Sequence, residues 1–150
     1  MDIFFTDPSE IPLPPAEVRI RELRAEPRPE SNRVSVYLEV DPFQIKPNAD
    51  LTILNDQGEE FAAASIIESI MRKMELTMHL HGNPSPGIYF IQAELYFAKV
   101  IDTDSGKGSI EREVVDNAQV SFEIWSTPNI GLILSHFNNF VNRDYEESVV

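Results

Sequence analysis

The strongest constraint in this chain is a period of two. Residues 33 to 40 read RVSVYLEV, which places Val34, Val36, Leu38 and Val40 on one face of an extended strand. The same alternation recurs along the chain. "EVRIREL" carries Val18 and Ile20 and slips phase at Leu23, where a bulge or a strand end is expected. "DLTIL" turns Leu51 and Ile53 inward, and "NDQG" at 55 to 58 has the residues of a hairpin turn. "KMELTMHLH" aligns Met74, Leu76, Met78 and Leu80. "PSPGIYFIQAEL" aligns Tyr89, Ile91, Ala93 and Leu95, continuing to Phe97. A polar segment, 101 to 117, then leads to a last strand with Ala118, Val120, Phe122 and Ile124 on one face.

Between these runs, residues 60 to 72 (EFAAASIIESIMR) fit two periods. Ala63, Ile66, Ile67, Ile70, Met71 and Met74 also have helical spacing, but the turn before and the strand after leave little room for a helix, so a strand is expected. Seven short alternating segments predict an all-β, antiparallel sandwich over residues 16 to 126, with one inward face per strand supplying the core. Residues 1 to 15 form a separate arm. Four prolines between Pro8 and Pro15 favour an extended, polyproline-like course there. Residues 127 to 150 form a tail in which Ile130, Ile133, Leu134, Phe137, Phe140 and Val141 have helical spacing after Pro128.

Composition narrows the partners. The 150 residues carry a net charge of −13, which disfavours nucleic acid and anionic membrane surfaces. Arg19, Arg21, Arg24, Arg28 and Arg33 are clustered, yet strand alternation separates them, so no phosphate site is expected. The absence of cysteine fits a reducing compartment. Asp2 stands where a signal peptide would be basic, and no apolar run reaches the length of a membrane span. A soluble, cytoplasmic protein is the expectation.

"PGIYFIQAEL" also carries a resemblance. In immunoglobulin-like domains a G-x-Y sequence often opens strand F, and Gly87, Ile88 and Tyr89 look like that element. With "LTILNDQGEE" before it, the chain resembles bacterial immunoglobulin-like, fibronectin type III-like and macroglobulin-type modules. The resemblance implies a Tyr89 hydroxyl that ties a corner to nearby backbone. It also implies a fold used mainly for adhesion, spacing and protein contact. Ile91 stands in place of the strand-F cysteine, and the strand-C candidate has no tryptophan.

Sites of chemistry are scarce. His79 and His81 share one side of a strand and could hold zinc only with further ligands. Asp102, Asp104 and Glu113 mimic positions one, three and twelve of a calcium loop, but Lys107 occupies the position that needs glycine, so an acidic hairpin loop is the better reading. There is no G-x-S-x-G elbow, no glycine-rich phosphate loop and no distinctive carboxylate pair. No catalytic residue, cofactor or metal is expected. The expectation is a non-catalytic module that contacts a protein partner or itself as a homo-oligomer. The outward residues Leu54, Phe90, Tyr96 and Trp125 would anchor that contact, with Phe137 and Phe140 of the tail, and the N-terminal Ile3 to Phe5 run as an exchanged arm. The alternative is a carbohydrate-binding module that stacks a sugar on Tyr37, Tyr96 or Trp125.

Overall fold

A computed structural model describes residues 8–28, 31–102, 104 and 106–125. Among these residues are seven strands: β1 (Ile20–Pro27), β2 (Arg33–Val40), β3 (Asn48–Asn55), β4 (Glu60–Ile66), β5 (Lys73–His79), β6 (Gly87–Ile101) and β7 (Ser109–Ile124). They form two antiparallel sheets, one in the order β1-β2-β5 and one in the order β4-β3-β6-β7. The order is consistent with an immunoglobulin-like sandwich.

One core lies between the sheets, and the alternation builds it. Val34, Val36, Leu38 and Val40 of β2 meet Leu51 and Ile53 of β3 and Ile91, Ala93 and Leu95 of β6 in a single buried cluster. The expected slip near Leu23 is a bulge between Ile20 and Glu22 that returns Leu23 to the core. The NDQG turn closes as Asn55 Oδ1 accepts the amides of Gln57 and Glu59, with Gly58 at a φ of 79°.

Tyr89 closes the neighbouring corner. Its ring is buried between Phe61, which meets it edge-on, and Phe122, which stacks on it. Its hydroxyl donates to the Ser85 carbonyl at 2.7 Å, the tie that the G-x-Y element implied. Burial, and then the nearby Glu59 and Asp56 carboxylates, raise its pKa above the usual 10.0.

Three segments depart from expectation. Residues 60 to 66 form a strand, but 67 to 72 leave it as a loop, because Ser69, Ile70 and Met71 have no strand to pair with. The proline arm is not simply extended. Pro8–Glu10 and Pro15–Glu17 each make a single 3-10 turn, with proline where its fixed φ suits the first helical position. Leu13 bridges to Phe43. The polar segment 101 to 117 is mostly strand: β6 runs on to Ile101 and β7 begins at Ser109. There β6 and β7 pair only with each other beyond the first residue of β3, as a projecting ribbon. Phe97 is its last core residue; past it the two-stranded ribbon has no core to cover, so charged residues stand on both faces and the sequence reads as a loop. The C-terminal tail, with Phe137 and Phe140, lies outside the described residues.

Candidate functional site

The outer face of the four-stranded sheet is where Leu54, Phe90 and Tyr96 were expected to form one aromatic patch. Leu54 and Phe90 are Cα partners on β3 and β6, side by side and half-buried. Tyr96 lies six residues further along β6, about 20 Å away. It is only 8% exposed, because the Arg112 guanidinium lies 3.8 Å above its ring centroid. Arg112 is held there by Asp50 Oδ2 at 2.7 Å and Glu94 Oε1 at 3.0 Å, hydrogen bonds that raise its pKa. Tyr96 is therefore a covered support for a cation, not an exposed contact group.

Between Leu54–Phe90 and Tyr96 the face is polar. Asp50, Thr52, Gln92, Glu94, Arg112 and Gln119 line an open depression of about 480 Å³, and Gln92 donates to Gln119 at 2.8 Å. The aromatics proposed for stacking a sugar do not meet there. Tyr37 is on the opposite sheet beneath Arg24, and Trp125 lies just past the end of β7, 75% exposed.

The other candidates also separate. His79 on β5 and His81 beyond it are exposed, and no group of three or more His, Cys, Asp or Glu side chains suits a metal among the described residues. Glu113 is inside β7 opposite Phe97, four ladder steps from the turn that holds Asp102 and Asp104, so the calcium-loop spacing is not a loop in space. The clustered arginines are dispersed as expected: Arg21 pairs with Asp41 at 2.6 Å, which raises its pKa, Arg24 pairs with Glu22, and Arg28 donates to Ser35.

Another surface emerges from the topology. Antiparallel pairing brings the N-terminal arm, the β2–β3 loop, the β4–β5 loop and the β6–β7 ribbon to the same end of the sandwich. Of the ten large apolar side chains exposed among the described residues, eight are at this end: Ile11, Ile45, Ile67, Ile70, Met71, Val100, Ile110 and Val114. Only Ile88 and Trp125 are at the other.

Specific bonds hold these residues in place. Gln44 donates its backbone amide to the Leu13 carbonyl and its side-chain amide to the Pro12 carbonyl, which ties the β2–β3 loop to the N-terminal arm. Ser69 donates to the Pro47 carbonyl at 2.9 Å. Asn48, buried at the start of β3, accepts the Glu68 amide at 2.8 Å and fixes that residue at a φ of 47°, in the left-handed region. Arg72 pairs with Glu10, which ties the β4–β5 loop to the N-terminal arm. On the ribbon, Val100 and Ile110 are Cα partners and share a face. No single stretch of sequence signals this surface, since its members come from four segments. The one hint was the apolar content of 66 to 71, which exceeded what one strand face could bury.

No protein-family model matches the chain, and no curated protein matches it in sequence. Solved structures do match in part. A Bifidobacterium dentium β-glucuronidase complexed with coumarin-3-O-glucuronide is 16% identical, with a TM-score of 0.47, over 73% of this chain and 19% of that one. A Ruminococcus gnavus β-glucuronidase in complex with a C6-substituted uronic isofagomine is 14% identical, with a TM-score of 0.41, over 72% of this chain and 16% of that one. The apo form of the Ruminococcus enzyme gives 15% and 0.39. The chain thus spans less than a fifth of the enzymes it matches, and a likeness this distant transfers no activity.

Proposed function

We propose that the chain is an immunoglobulin-like, non-catalytic module that acts by protein contact and associates with itself through its apolar end. The observation that supports this reading is the concentration of eight exposed apolar side chains at one end, on segments anchored by hydrogen bonds. Scattered exposed isoleucines are ordinary on a protein surface, but a clustered set marks a surface that is covered in use. Leu54 and Phe90 form a smaller second patch, and Trp125 a third, towards the opposite end.

The test is light-scattering mass on a sizing column over a range of concentrations. The full chain is expected to associate, and the pair Ile70→Glu and Met71→Glu to weaken that association at least tenfold, the loss typical of removing a central anchor. Trp125→Glu is expected to leave it unchanged. A mass that stays monomeric at every concentration would overturn the reading. So would association that survives the double substitution.

A further inference from the structure

The outer face of the four-stranded sheet carries more than a covered tyrosine. Cα register places its side chains in rows across β3, β6 and β7: Thr52, Gln92 and Gln119 in one, Asp50, Glu94 and Asn117 in the next. With Arg112 they line the depression of about 480 Å³, a volume in the range of small-ligand sites. Several of its polar groups are tied to one another before any ligand arrives. Ser65 Oγ donates to Asp50 Oδ1 at 2.8 Å, Arg112 Nη1 bridges Asp50 and Glu94, and Gln92 Nε2 donates to Gln119 Oε1. Such ties reduce the rotamer freedom that binding would otherwise have to remove. One row further along, Leu54 and Phe90 are paired and half-buried, about 7 Å from Thr52 and Gln92.

We infer that this depression binds a neutral oligosaccharide, with Phe90 taking the C–H face of a sugar ring and the two polar rows taking its hydroxyls. The chemistry of the lining selects the class. Carboxylates, side-chain amides, a hydroxyl and a guanidinium set donors and acceptors side by side, which suits a ligand whose every hydroxyl both donates and accepts. Two carboxylates against one guanidinium leave a spare negative charge, which disfavours phosphate, sulfate and uronate groups. Among the described residues no group of three or more His, Cys, Asp or Glu side chains suits a metal ion. An apolar peptide would leave the buried carboxylates and amides without partners. None of the lining residues belongs to the eight apolar side chains of the other surface, so this site is tested separately from self-association.

The full chain is titrated with neutral hexasaccharides of glucose, mannose, xylose and galactose, and with a galacturonate hexasaccharide as the charged control. Binding is read by calorimetry and by backbone amide shifts. At least one neutral sugar is expected to bind and to shift the amides of Thr52, Gln92 and Gln119, with the galacturonate weaker. Gln92→Ala with Gln119→Ala is expected to weaken that binding roughly tenfold or more, the loss that removing hydrogen bonds to a ligand produces. Phe90→Ala is expected to weaken it as well, and Trp125→Ala to leave it unchanged. Both glutamines are exposed, so the paired substitution is expected to keep the wild-type urea midpoint, which shows that the fold survives. Neither heat nor amide shifts with any neutral sugar at millimolar concentration would overturn the inference. So would tighter binding of the galacturonate, or neutral-sugar binding that survives the paired substitution.

Discussion

At one end of the sandwich Tyr89 closes a corner on Ser85, Asn55 folds a tight turn, and Phe61 and Phe122 fill the space around the tyrosine ring. At the other, five isoleucines, two valines and a methionine face outward from loops and a ribbon held by Asn48, Gln44 and Arg72. Both ends are ordered by named hydrogen bonds, but they spend those bonds differently. The first uses polar atoms to finish the core. The second uses them to hold apolar groups out of it, an arrangement that gains nothing in an isolated molecule. The difference supports the proposal that the second end is the contact surface.

Breaking the first end costs most. Tyr89→Ala is expected to lower the unfolding free energy by about 3–5 kcal/mol, as for other large buried rings, measured by urea denaturation. At the second end, Asn48→Ala leaves the Glu68 amide without its acceptor. A loss of about 1–3 kcal/mol is expected, with faster hydrogen exchange at Glu68 and Ser69. Tyr89→Phe keeps the packing and removes only the bond to Ser85, for about 1 kcal/mol.

The same residue sets an alkaline limit. The folded pKa of Tyr89 is raised above the unfolded value, so the stability it adds is whole below pH 10.0 and is lost as pH rises through the folded pKa. The Tyr89→Phe protein is expected to show a flatter alkaline limb in a pH series of denaturation midpoints. Least affected in stability is the pair Ile70→Glu and Met71→Glu, within about 0.5 kcal/mol of wild type, since both side chains are exposed. Its effect belongs in association, which is what separates a contact surface from a structural one. A substitution at the other end that changed mass as much would erase the distinction between the two ends. A finer probe concerns Arg112→Ala, which is expected to raise the nitration rate of Tyr96 severalfold by uncovering its ring.

Much of this was readable before any coordinates. The core faces of β2, β3, β5 and β6 follow from alternation, because a strand buried on one face must repeat every second residue. The Leu23 slip and the turn at Asn55 followed from local chemistry, in which a bulge or a glycine has one local task, and the Tyr89 corner followed from the resemblance of its G-x-Y element to immunoglobulin-like domains. The extended β6–β7 ribbon past Phe97 did not, since without a core on either face nothing enforces alternation. The outer aromatic patch failed at Tyr96 for a related reason. Alternation says which face a residue takes, but not that Arg112, sixteen positions on, will be drawn over the ring by Asp50 and Glu94.

By itself the sequence determined the sandwich and its inward residues, because backbone pairing and burial impose a period that needs no knowledge of neighbours. Which residues share an end of the molecule was decided only by tertiary structure. Ile11, Ile45, Ile70 and Ile110 are separated by 25 to 40 positions each, and antiparallel return of the strands, not any local preference, brings them to one surface.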